Sequence, residues 1–382
     1  MKAITAKHLW SFPLLFGFLG GIIGLVLRYA FTGSIANFPF KFVLHSHSHI
    51  MLLGFVFNAL IVLLFTRFTN GIDTTSYRLY LALQVCVAVL LVGFIIQGYA
   101  LVTITFSTLH LWISYCLVIR LWKRLVGKKS DLILIKTGSI FHFISSIGPY
   151  ALGPLMALKM QASPWYEQAI FFYLHFQYFG SFFLWMLAIL FQKTTIRLTK
   201  KQMSLLVGAI TLLYAHSLQY SFNHLAIQIV GSIGSIALFL FFLKLKKSFS
   251  NQKLQYQLFF GTLLFIGILN CFGSIPYFSN LVITNRFMLI AWLHFLFLGM
   301  YLPFIWMELG TKIRQSIWVV YIVFLLTSEA FLLFPTFFSE LFATSIMWLL
   351  FIAYFGVVLC ISVVHLTALF QKNKIDELTR TR

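Results

Sequence analysis

The chain has 382 residues, of which 60% are hydrophobic and 9% charged, with 45 phenylalanines. No water-soluble domain carries such a composition, because apolar surface would meet water on every side. A formal net charge of +20 would suggest a nucleic-acid partner for a soluble chain, but here the basic residues sort by membrane side and none is expected.

Apolar segments follow one another at about 11–31, 45–68, 77–100, 103–122, 132–157, 166–192, 202–219, 223–243, 256–275, 286–308, 315–335 and 343–370. Each is long enough to cross a hydrocarbon core of about 30 Å. The predicted fold is an all-α polytopic membrane protein of twelve transmembrane helices, with short connections and a single membrane domain over 1–382. The first segment carries no evident cleavage site and is expected to be retained. With the N-terminus inside, Lys2, Lys7, Arg67, Arg78, the Arg120 to Lys136 cluster, Lys193, Arg197, Lys200, Lys201, Lys244, Lys312, Lys372 and Lys374 share the inner side. Only Arg28, Lys41, Lys159 and Arg286 of the 28 basic residues fall outside. That asymmetry predicts both termini in the cytoplasm, with anionic lipid as the partner of the inner loops.

The second segment opens Leu44-His45-Ser46-His47-Ser48-His49 and continues to Gly54. At about 100° per residue, His45 and His49 share a face and His47 points nearly opposite, so one helix can serve two neighbouring sites. A histidine five residues before a glycine returns as His175 to Gly180 in the sixth segment and His294 to Gly299 in the tenth, at intervals of 126 and 119 positions. Each interval matches four membrane-crossing helices with their loops, which predicts three repeated four-helix arcs. His45, His47, His49, His110, His175, His216, His224 and His294 all fall at the outer level. Imidazole is the commonest transition-metal ligand, and histidine inside a bilayer is costly, so the set predicts a layer of metal centres. A lone histidine would more often be a helix contact worth about 1 kcal/mol. The glycines could admit a flat ligand or simply a neighbouring helix.

Further along, Pro149 and Pro154 with Gly148 and Gly153 mark a break in the fifth segment. Glu329 is the one carboxyl well inside a helix, at the level of the histidines. It is a candidate proton donor, with a neutral interhelical hydrogen bond as the equal alternative. Arg28 and Arg286, near outer helix ends, suit carboxylates of a bound group. Cys86, Cys116, Cys271 and Cys360 are scattered singly and read as small apolar filler.

These residues resemble the haem–copper oxidase subunit I superfamily, which includes nitric oxide reductases and the shorter NnrS-type haem–copper membrane proteins. The resemblance covers nearly the whole chain and rests on twelve helices in three arcs, on histidines in helices two, six, seven and ten, and on the segment HSHIMLLGF. It implies His49 and His294 as haem ligands, with His47, Arg28 and Arg286 beside the haem, and His175 and His216 as copper ligands. His45, His110 and His224 are further metal candidates at the same level. The chain departs from oxygen reductases in having a single histidine, His294, on helix ten, a single His216 on helix seven, and Phe179 where a tyrosine is usual. The implied inventory is one haem b, or two, with or without copper. The implied function is binding or reduction of a diatomic gas, NO or O2, in a bacterial cytoplasmic membrane; with only eight acidic residues in the chain to form a proton path, no proton pumping is expected. Electrons would come from a quinol or a small cytochrome or cupredoxin. The alternative is a metal- or haem-handling transporter or sensor on the same fold.

Overall fold

The computed structural model describes residues 6–310 and 312–370; Lys2, Lys372 and Lys374 lie outside the described residues. Among the described residues, twelve helices are long and apolar enough to cross a membrane. Spans 1 to 4 are His8–Ala30, Phe40–Phe68, Thr74–Gln97 and Leu101–Arg124. Spans 5 to 8 are Lys129–Ala157, Pro164–Thr194, Lys200–Phe222 and Leu225–Ser250. Spans 9 to 12 are Leu254–Gly273, Arg286–Glu308, Gln315–Leu333 and Ile346–Phe370. Every predicted segment has its counterpart, with ends moved by a few residues. All regular structure among the described residues is helical, as expected where only a helix can satisfy its own backbone in lipid.

Local chemistry sets the helix ends. Asp73 caps span 3 by accepting from the Ser76 N–H at 2.9 Å, and Thr199 and Gln202 form a reciprocal capping box at span 7. Span 3 stops at Gly98, whose φ of 62° lies in the left-handed region that glycine enters freely. Span 5 is interrupted at Ser146, between Lys129–Ser145 and Ile147–Ala157. The cause is Pro149, which has no N–H to give the Ser145 carbonyl and whose ring would crowd it.

The described residues divide into two compact units, one made of those up to Arg124 together with those from Ile290 onward, the other Leu125–Leu289. In the first, tyrosine and tryptophan tie helices together by donating to buried acceptors. Tyr80 donates to the Leu9 carbonyl at 2.7 Å, Tyr321 to that of Leu298 at 2.6 Å, and Trp306 to His365 Nε2 at 3.1 Å. Asn58 and Gln84 pair at 2.8 Å between spans 2 and 3. Arg67 and Glu308 form a buried ion pair between spans 2 and 10, and Asp73 binds Arg120 and Arg124 of span 4. In the second unit, Trp185 of span 6 donates to the Ile135 carbonyl at 3.1 Å and lies against Gly138. Between apolar helices in lipid such hydrogen bonds and close packing supply the cohesion.

Spans 2 and 6 are the most enclosed, with 83% and 94% of their apolar windows buried against 28–50% in the other ten. Both change hydrogen-bond pattern directly after a motif histidine, as does span 10. A π-helical stretch covers Ile50–Phe57 after His49, Phe176–Phe182 after His175 and Phe295–Tyr301 after His294. Such stretches are rare and concentrate at functional sites.

Candidate functional site: the histidine clusters

The His45–His49 face and the His47 face of span 2 separate as the helical angle requires. His49 packs on Phe94 with ring centroids 4.4 Å apart, and His45 meets Tyr99 at 4.7 Å. His47 turns to span 1, where its Nδ1 is 2.9 Å from the Gly20 carbonyl. A carbonyl only accepts, so Nδ1 carries the proton and Nε2 keeps its lone pair. His49 is fixed in the same tautomer by the His45 carbonyl, also at 2.9 Å.

His47 belongs to a group drawn from five helices of the first unit. Arg28 of span 1 is buried and donates to His294 Nδ1 at 3.4 Å, and its guanidinium lies 5.8 Å from the Tyr354 ring centre. His294 is stacked near-parallel on Tyr354 at 6.1 Å. Glu329 Oε1 is 3.7 Å from His294 Nδ1, and neither of its buried carboxyl oxygens has a hydrogen-bond partner. His47 is near enough to Arg28 and His294 to interact electrostatically with both. Gly24 makes the room: a Cβ there would sit 2.7 Å from Tyr354 Oη and 2.8 Å from the His47 ring. One permanent cation, one carboxyl, two imidazoles and a phenol therefore meet in one cluster, in which Arg28, Glu329 and Tyr354 are buried and His47 and His294 half-buried.

The second unit holds a counterpart whose groups around the motif histidine are uncharged, with the Glu167 carboxylate only at its edge, accepting from Ser221 Oγ at 2.6 Å. His175 is buried and donates from Nε2 to the Ile210 carbonyl at 2.9 Å, which leaves Nδ1 as a lone pair. Its ring lies 5.6 Å from Tyr214, and His216 is close enough to couple to it electrostatically. His216 Nε2 is 2.8 Å from Ser235 Oγ, which itself donates to the Gly231 carbonyl at 3.0 Å. Tyr214 donates to Gln168 Oε1 at 2.9 Å, and Gln168 donates to the Ser217 carbonyl and to Ser221 Oγ, both at 2.7 Å. His142 and Ser145 share Gln177 beside the break in span 5, the serine donating at 2.9 Å.

Of the residues expected from sequence, Arg28, His47, His294 and Glu329 come together, and so do His175 and His216. His49 and His45 form a separate pair, and His49 does not enter the Arg28 group. His110 is buried against Phe57 at 5.8 Å. His224 is exposed and caps span 8, its Nδ1 accepting from the Ala226 N–H at 3.2 Å. Arg286 is exposed at the start of span 10. Among the described residues, no three His, Cys, Asp or Glu side chains converge as a ready-made metal site. The motif glycines serve packing: a Cβ at Gly54 would meet Phe16 and Val87, and one at Gly180 would meet Phe141.

Sequence reasoning missed Tyr354, Tyr99 and Gly24. The last had a visible signal, since Gly20 and Gly24 form the small-x-x-x-small spacing that lets helices approach closely; here it admits Met51 and His47. No model of a known protein family matches the chain, and a search of curated proteins finds no match.

Proposed function

We propose that the chain is a haem-binding protein of the bacterial cytoplasmic membrane that binds or reduces a diatomic gas, NO or O2, at its histidine level, in the manner of the haem–copper oxidase subunit I superfamily it resembles. The observation that carries the reading is the clustering of Arg28, His47, His294, Glu329 and Tyr354 from five helices. Its donor chemistry suits a haem. His47 is anchored through Nδ1–H with Nε2 free, the arrangement of a metal-bound imidazole, and His294 accepts from Arg28 at Nδ1, a lone pair that would be freed for a metal when the guanidinium turns to a propionate. Arg28, whose one hydrogen bond goes to an imidazole, provides the cation that a propionate requires. His47 and His294 would hold the iron, in place of the His49 and His294 pair that the resemblance implies. His175 and His216, each with Nδ1 available, supply two nitrogens for copper in the other unit. When bound, a haem b supplies an iron whose potential follows its axial ligands and the surrounding dielectric. The chain's own groups orient the imidazoles and exclude water.

The recurrence of a π-helical stretch after His49, His175 and His294 supports three four-helix arcs, and the distribution of basic residues supports cytoplasmic termini. A quinol, or a small cytochrome or cupredoxin, is the proposed electron donor. The inner-side acids Asp73 and Glu308 are engaged by arginines, which supports gas handling without proton pumping. The purified protein is expected to show a Soret band that His47→Ala and His294→Ala each abolish or shift. A colourless protein after expression with ample haem refutes the proposal. A specific observation favours a second reading, transport of a metal or haem. Span 5 is discontinuous at Ser146, with the polar His142, Ser145 and Gln177 beside the break, as transporter sites are built. Uptake of metal by vesicles holding the colourless protein would favour it.

A further inference from the structure

We infer that His45, His49 and Tyr99 form a separate binding site for a borderline divalent transition metal, Cu(II) or Zn(II), at the N-terminal end of span 2. The inference does not rest on the haem reading, since none of these residues belongs to the Arg28 group. His45 and His49 are one turn apart on a continuous α-helix, Phe40–His49, the spacing at which two imidazoles chelate one ion. Both rings pack on the same partners: Phe94 at 5.9 and 4.4 Å, Tyr99 at 4.7 and 5.9 Å. The His49 tautomer is already set for ligation, because Nδ1–H is held by the His45 carbonyl at 2.9 Å and Nε2 faces Tyr99 Oη at 3.5 Å. A phenol that close to His49 Nε2 becomes the third ligand, and the first through oxygen, when a cation bound between them replaces the phenolic proton, which is released to water. Both histidines are only half-buried and Tyr99 is 48% exposed, so an ion can reach them without opening the bundle. Phe94, fully buried, closes the apolar side. Lys41 stands one turn before His45 and acts on it electrostatically; its charge opposes an incoming cation and sets an upper limit on affinity. Nitrogen donors with one oxygen favour copper over magnesium or calcium.

The test is a titration of Cu(II) alone into the full-length protein, purified in detergent without a polyhistidine tag and stripped with chelator. One equivalent is expected to bind with an electron paramagnetic resonance spectrum split by two nitrogens, and Zn(II) to displace it. His45→Ala and His49→Ala are each expected to weaken binding at least tenfold, Tyr99→Phe by a smaller factor with a changed spectrum, and Lys41→Gln to tighten it. Ser48→Ala, on the exposed side of the same turn, is expected to bind like the unaltered chain. If the His45→Ala, His49→Ala double variant, shown monodisperse and helical, binds Cu(II) with unaltered affinity and spectrum, the site does not exist. The absorbance of haem read on the same samples keeps this outcome apart from failure of the haem proposal.

Discussion

The Arg28 group and the His175 group begin alike and end differently. Each contains a motif histidine that precedes a π-helical stretch, yet the first surrounds it with a guanidinium and a carboxyl and the second with a carbonyl, a phenol and hydroxyls. Neutral hydrogen bonds in lipid stabilise a helix pair modestly whichever partner is present. Opposite charges taken out of water depend on each other, because either one left alone is far costlier than the pair. A charged cluster is therefore retained for what it can do, while a neutral one needs no reason beyond cohesion. The contrast marks the Arg28 group as the stronger functional candidate.

Removing the cation should break the comparison most sharply. Arg28→Met removes the buried guanidinium that donates to His294 Nδ1 and acts electrostatically on Glu329, and is expected to destabilise the protein by about 1.5–3 kcal/mol. Adding Glu329→Leu should recover most of that loss, measured by chemical unfolding in detergent. Costs that simply add would show that the two groups are not coupled. In the His175 group, His175→Phe removes one hydrogen bond and keeps an aromatic volume, with an expected cost of about 1–3 kcal/mol in the same assay. Ser235→Ala, which takes the partner from His216 Nε2, should cost about 1 kcal/mol. A loss there as large as that of Arg28→Met would erase the distinction.

Acid gives the smallest effect. Partial burial pushes the Asp73 carboxyl up, but hydrogen bonds from the Ser76 N–H and hydroxyl and from Arg120, with the charge of Arg124, outweigh it and bring it from 3.8 down to about 2. Because the folded value is the lower one, its stabilisation is complete above pH 3.8 and disappears as the pH falls toward 2. The group is bathed by water, so the loss is about 1 kcal/mol or less. Asp73→Asn should flatten this part of the stability profile, and an unchanged profile would show that the carboxylate contributes nothing.

All twelve spans were legible because a bilayer demands long apolar runs and leaves almost no other solution. The break in span 5 was legible from Pro149, a residue whose backbone effect is local. So was the division of His45 and His49 from His47, which follows from 100° per residue. The partners of each face were not. Span 2 could be placed in sequence but not rotated, and its rotation puts His47 against Gly20 and Gly24 and His49 against Phe94 and Tyr99. Tyr354 escaped notice because a tyrosine in an aromatic-rich span has no signature until Arg28 and His294 meet it.

By itself the order of residues determined the apolar helices long enough to cross a membrane and which of their residues share a face, since these follow from length, hydropathy and periodicity along the chain. Only the tertiary structure decided that Arg28, Glu329 and Tyr354 join His47 and His294 while His49 stays with His45. The reason is that helix rotation and crossing depend on small residues and side-chain shapes from several distant segments at once, and no local pattern carries that information.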